Sequence, residues 1–186
     1  MKTVLTTLIF LIMPIWGGAQ QLPNFMEHIY KVTPVVKATP AKLPKNGSIT
    51  TNESFKPPVE IIIEAKTNDK NLRIGYAADQ VIFNWEQNQS QLRVDGGPAH
   101  NQHKPGVGLI PKDQFVTIRW VVLHDRQQIY VNGTLRYEHQ GDYSKVNRPV
   151  NVFSAQGSYV TVKSIRVRQL PPTPSPANAV KNGSAS

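Results

Sequence analysis

Cysteine is absent from all 186 residues. That excludes disulfide staples, a thiolate nucleophile and the thiolate zinc sites. Acidic side chains are scarce against basic ones, 12 against 21, and the net charge is +9. Fifteen basic residues face eleven acidic ones between positions 50 and 170, and Lys31, Lys37, Lys42 and Lys45 carry part of the remainder. No basic run or basic helix face gathers the excess, so no nucleic-acid partner is expected. Apolar runs long enough to span a membrane are missing after the first twenty residues. So is the 3.6-residue period of an amphipathic helix.

What is present begins with a leader. Lys2 is a positive start, Val4–Trp16 is mainly apolar, and Gly17, Gly18 and Ala19 are small. This reads as a signal peptide over 1–19, cleaved after Ala19, with an apolar stretch too short for an ordinary spanning helix. No cysteine follows it to carry a lipid. The expected location is secreted or periplasmic, with no spanning segment after cleavage. An exported chain without disulfides needs a core of its own, and about 120 foldable residues suffice for one. Bacterial export fits this better than a small eukaryotic secreted domain. Sequons at Asn46, Asn52, Asn88, Asn132 and Asn182 would matter only in a eukaryote.

Residues 20–47 hold Pro23, Pro34, Pro40 and Pro44 without a period and read as a linker, with room for one short strand near its end. From Pro171 the chain is Pro-, Ser- and Ala-rich and reads as a disordered tail, 171–186. Between them, 48–170 is the folded unit, and its signal is alternation. VEIIIEAKT sets Val59, Ile61, Ile63 and Ala65 on one face against Glu60, Ile62, Glu64 and Lys66. NLRIGY, QVIFNWE, QLRVD, FVTIRWVVLHD, VNVF and YVTVKSIRVRQL behave alike, and Asn132-Gly133 is a strong hairpin turn. Roughly eight to ten short strands with one apolar face each predict an all-β, two-sheet antiparallel sandwich. Trp85 and Trp120 are expected in its core, and Tyr76, Tyr130 and Tyr137 near its surface.

The stretch PKDQFVTIRWVVLHDRQQIYVNGTLRYEHQGDY has a Trp-bearing strand, then a strand ending YVNG followed by Leu. With the closing VTVKSIRVRQL, it resembles the concanavalin A-like lectin/glucanase superfamily, nearest to laminin G-like bacterial jelly-roll domains. The resemblance covers about residues 50–170. It implies a jelly roll that binds carbohydrate or protein, and in some members a glycosidase. It also implies calcium as a candidate ion, for which Asp95, Asp125, Asn132 and Asp142 are loop oxygen donors.

Jelly-roll glucanases carry Glu, Asp and Glu on one strand face. Here Glu60 and Glu64 have the outer spacing, but Ile62 stands where the Asp would be. Four residues of strand span about 13 Å, against the roughly 5.5 Å between carboxyls that a retaining mechanism requires. The bland reading of Glu60 and Glu64 is a solvated strand face, and no catalytic residue is assigned. No G-x-S-x-G elbow is present.

The stretch DGGPAHNQHKPGVG, residues 95–108, raises three alternatives: a metal site, a ligand rim or a long turn. Zinc would draw on Asp95, His100 and His103, but HxxH in a loop does not fix geometry as a helix does. Arg73, Asn84, Glu86, Arg93, Asp95 and Arg119 point outward by alternation. With His100, Asn101 and His103 at the loop tip they form the candidate ligand-binding set. An ordinary wet sheet face is the plain alternative. The expected activity is non-catalytic recognition of a glycan or surface polysaccharide. Glycoside hydrolysis by Glu60 and Glu64, or protein interaction, is the other reading.

Overall fold

The computed structural model describes residues 32–34 and 40–171. The signal segment 1–19, most of the linker and the tail beyond Pro171 lie outside the described residues. Alternating sequence becomes two antiparallel sheets. The larger has the order β1-β12-β4-β8-β9-β10, with β2 also on β12. It comprises β1 (Val32–Pro34), β2 (Ala41–Lys42), β4 (Val59–Thr67), β8 (Val116–Val122), β9 (Arg126–Val131), β10 (Thr134–Gln140) and β12 (Val160–Gln169). The smaller has the order β3-β11-β5-β6-β7. Its strands are β3 (Ser48–Thr50), β5 (Leu72–Gly75), β6 (Gln80–Phe83), β7 (Arg93–Asp95) and β11 (Asn151–Ser154). Among the described residues no helix is long and apolar enough to cross a membrane.

The inner faces meet as the alternation demands. Ile61 and Ile63 of β4, Ile118 and Trp120 of β8, and Ile165 and Val167 of β12 are buried against Leu72, Ile74, Val81, Phe83 and Val94 of the smaller sheet. Burying a branched aliphatic or aromatic side chain contributes about 1.5–3 kcal/mol, so this interior replaces the missing disulfides. Trp120 is the central side chain. Tyr76 meets it edge-on at 6.1 Å, and its indole N–H donates to Gln127 Oε1 at 2.9 Å. A buried indole with a partner is the inexpensive arrangement.

Two expectations about aromatics are corrected. Tyr76 and Tyr137 are buried, at 0% and 3% exposure: Tyr76 keeps the inward parity of Leu72 and Ile74 that the alternation of NLRIGY gives it, and the bulge between Leu135 and Tyr137 turns Tyr137 inward. Trp85 is only half-buried and lies outside the core. The cause is Asn84, whose φ of 50° breaks the period-two path directly after β6. Near the end of the linker, where one short strand was expected, Ala41 and Lys42 pair with Val162 and Thr161, and Leu43 is buried in the core.

Candidate functional site

The outer face of the smaller sheet is built in cross-strand rows. One row runs Ser48, Phe153, Arg73, Ile82, Arg93 across β3, β11, β5, β6 and β7. Its neighbour carries Asn151 opposite Gly75 and Gln80 opposite Asp95. Ile82 points outward yet is buried, at 1% exposure, between the two arginines. Arginine stems cover aliphatic surface while their heads stay near water, which explains the placement.

The polar heads are tied together. Arg73 donates to Gln80 Oε1 at 2.9 Å and to Asn71 Oδ1 at 3.1 Å, and pairs with Glu86 at 3.3 Å. Gln80 donates in turn to Asp95 at 2.7 Å. The Nε of Arg93 donates to both oxygens of Asp95, at 2.8 and 2.9 Å. Its guanidinium stacks on Trp85, 4.5 Å from the ring centroid. No acceptor among the described residues engages the terminal nitrogens of Arg93. Such a lattice holds donors and acceptors in place before a ligand arrives, which lowers the ordering cost of binding.

The loop after β7 is first of all a cover. Leu92 and Lys104 exchange backbone hydrogen bonds at 2.9 Å, and Gly108 N–H donates to Ser90 at 2.8 Å. The loop therefore lies along β7 and removes a free sheet edge. Gly108 is required there, because a Cβ would sit 2.3 Å from the Gln91 carbonyl carbon. Gly97, at φ 60°, passes as closely over Ala77.

Of the nine residues in the candidate ligand set, Arg73, Glu86, Arg93 and Asp95 come together on this face. His103 joins them, its Nδ1 accepting from the Val94 N–H at 3.1 Å with Nε2 3.9 Å from Asp95. Asn101 is exposed but uses its Oδ1 to accept from the Gly96 N–H at 3.1 Å. His100 is exposed in the left-handed region at φ 43° and is electrostatically close to His139. Two residues do not belong. Asn84 is fully buried and holds the backbone of Ile110 and Asp69. Arg119 lies on the larger sheet, beneath neither arginine of this face, stacked 4.7 Å from Tyr130. Sequence reasoning missed Gln80, Asn151 and Phe153. Gln80 shares the parity of Ile82, so it could have been found.

The carboxylates on β4 are engaged. Glu60, 3% exposed, accepts from Arg119 Nε at 2.6 Å and pairs with Arg168 through its other oxygen. Glu64 pairs with Lys163 at 2.5 Å. The zinc set does not assemble, and among the described residues no three His, Asp or Glu side chains are grouped to hold a metal ion. The calcium candidates are scattered. Asp125 and Asn132 flank opposite ends of β9, Asp95 is on the other sheet, and Asp142 caps the Ser144 N–H at 3.0 Å. The Ser144 hydroxyl, and then that backbone contact, hold the Asp142 carboxyl below its usual range.

No family profile matches the sequence, and no curated protein is similar to it in sequence. Solved structures do match in fold. The β-glucanase of Bacillus licheniformis superposes with a TM-score of 0.54 at 10% identity, over 71% of this chain and 78% of its own. The exoplasmic/lumenal domain of VIP36, in a form bound to Ca2+ and Man3GlcNAc, gives 0.54 at 8% identity, over 80% and 86%. The fold is the concanavalin A-like jelly roll. An endo-acting O-glycanase from the human gut microbiota gives 0.53 at 10% identity, over 71% and 79%. This jelly roll is thus shared by sugar-bound and sugar-cleaving proteins alike.

Proposed function

We propose that this jelly roll is an exported, non-catalytic module that binds a glycan on the outer face of its smaller sheet. The observation that carries the reading is the connected lattice Arg73–Gln80–Asp95–Arg93, with Trp85 under the Arg93 guanidinium. Sugar hydroxyls take paired hydrogen bonds from fixed planar groups, and the face offers guanidinium donors beside carboxylate acceptors. Phe153, half-buried in register with Arg73, supplies apolar surface in the same row. The sugar-bound and glucanase neighbours of the same fold support a carbohydrate ligand over a protein one. The ion pairs on Glu60 and Glu64 support a structural part for both.

The test is a panel of neutral glycans and polysaccharides titrated against the purified chain, with reducing ends measured in the same wells. Binding without release is expected, and Arg93→Ala should weaken it about tenfold, the size of one lost charge-assisted contact. Binding that Arg93→Ala leaves intact would refute the assigned face. Release of reducing ends abolished by Glu64→Gln would replace the reading with glycoside hydrolysis.

A further inference from the structure

A second cleft opens on the larger sheet, away from the lattice just described. It has a volume of about 210 Å³ and is lined by Lys42, Lys66, Asn68, Asp113, Tyr159 and Thr161. Strand register explains it. Lys42 of β2 is opposite Thr161 of β12, and Thr161 is opposite Lys66 of β4. Two lysines therefore stand on one face with a single strand between them, their backbones about 10 Å apart. Like charges gathered on one face repel, and among the described residues no carboxylate lies within ion-pair distance of Lys42, Lys45 or Lys66. An anion placed between them would relieve the repulsion.

Two aromatic rings flank the cleft. Tyr159 and Phe115 are exposed, at 37% and 39%. Lys42 and Lys45 sit over the Tyr159 ring at 5.0 and 5.9 Å. Lys66 and Lys163 sit over Phe115 at 5.4 and 5.8 Å. The bulge in β12 at Val162/Ser164 brings Lys163 there. Lys163 is paired with Glu64, and Lys66 donates only to the Asp113 backbone carbonyl at 3.4 Å. The combination of ring faces, the ammonium groups of Lys42, Lys45 and Lys66 without a carboxylate partner, and the neutral partners Asn68 and Thr161 has a definite chemistry.

We propose that this cleft binds an anionic polysaccharide, a chain of sugar rings bearing carboxylate or sulfate groups. The rings of Tyr159 and Phe115 pack on the apolar faces of the sugars, and Lys42, Lys45 and Lys66 take the anionic groups. Asp113 in the lining distinguishes the ligand class. Its carboxylate accepts from sugar hydroxyls, which a polysaccharide carries on its rings beside the anionic groups and a DNA backbone lacks, and this favours a polysaccharide over single-stranded DNA. The site is independent of the Arg73–Arg93 face and stands whether or not that face binds neutral sugars.

The experiment titrates the purified chain with polygalacturonate, dextran sulfate, uncharged dextran and an oligothymidylate. Anionic polysaccharide should bind, more weakly as salt rises, and the two anionic polymers distinguish carboxylate from sulfate recognition. A Lys42→Gln/Lys66→Gln variant should lose about tenfold or more in affinity, and Tyr159→Ala a few-fold, while Lys145→Gln, exposed and outside both sites, changes neither polymer. The melting temperature of each variant, unchanged from the parent, keeps a folding defect from imitating the loss. Affinity untouched by the double variant, equal binding of uncharged dextran, or tighter binding of the oligothymidylate would each overturn the proposal.

Discussion

Replacing Asn84 by alanine should cost more than any surface change on the ligand face. Its Oδ1 accepts from the Ile110 N–H at 2.7 Å, and its Nδ2 donates to the carbonyls of Ile110 and Asp69 at 3.0 and 2.9 Å. Alanine leaves both polar groups of Ile110 without a partner inside the protein. A buried backbone group stripped of its partner costs about 1–3 kcal/mol, and the Asp69 carbonyl less because Asp69 is only half-buried. Asn84 also sits at φ 50°, where an ordinary L residue costs about 1 kcal/mol more. The expected loss is roughly 3–5 kcal/mol, a fall in Tm of about 10–15 °C for a unit of this size. Urea unfolding followed by tryptophan fluorescence measures it, with an unchanged m-value showing that the folded state is otherwise intact. Asn84→Gly relieves the backbone term but not the hydrogen bonds, so it should remain within about 1 kcal/mol of the alanine variant. Asn84→Asp keeps the acceptor and turns the donor into a second acceptor against two carbonyls. It should therefore be more damaging at pH 7 than near pH 4, where the carboxyl can carry a proton. A loss under about 1 kcal/mol in the alanine variant would refute the latch.

Two pH effects follow from groups in the same end of the sandwich. Burial, and then the charge of nearby His100, lowers His139 below its ordinary value of 6.5. The unfolded chain then binds the extra proton, so stability should be complete above about pH 6.5 and fall as the pH drops below it. Denaturant midpoints between pH 5 and 8 check this, and His139→Gln should flatten the slope in that window. Burial also raises Tyr76, Tyr137 and Tyr143 above 10, with Tyr137 pushed up to about 12. Absorbance at 295 nm should show these three silent while ordinary tyrosines ionise, and stability should fall as pH rises past 10. Titration of all six tyrosines near pH 10 in the folded chain would refute that burial.

The strand set was readable because one-sided burial writes itself as alternation. Ile61, Ile63, Ile118 and Trp120 point inward where the period places them. What alternation cannot carry is the point where it stops. Asn84 in the left-handed region resets the parity, so Trp85 leaves the core for the ligand face and Asn84 itself turns inward. Tyr76, just past the end of β5, still keeps the inward parity of Leu72 and Ile74, so its burial was legible in the alternation. A short strand near the end of the linker was expected, but its place at β2 was not legible because two paired residues are fewer than a period needs. The division of the polar set between two sheets was hidden for another reason. Arg93 and Arg119 look alike along the chain, and only strand order places them on different sheets. The lysine–aromatic cleft was hidden likewise, since Lys42, Lys66 and Tyr159 meet only through β12.

The pairing of β1 with β12 has a geometric consequence. Val32 is opposite Arg168, so the first and last strands of the described unit are anchored side by side at one end of the sandwich. Thr161, which floors the lysine cleft, is at the other end of the same ten-residue strand. About 25 Å separates the two. A partner joined to the chain before Val32 or after Gln169 would therefore act as a stalk fixed at the base, with the cleft carried at the tip. Fusion at either end leaves that tip facing outward, which makes the domain suitable for display on a surface without blocking its cationic end.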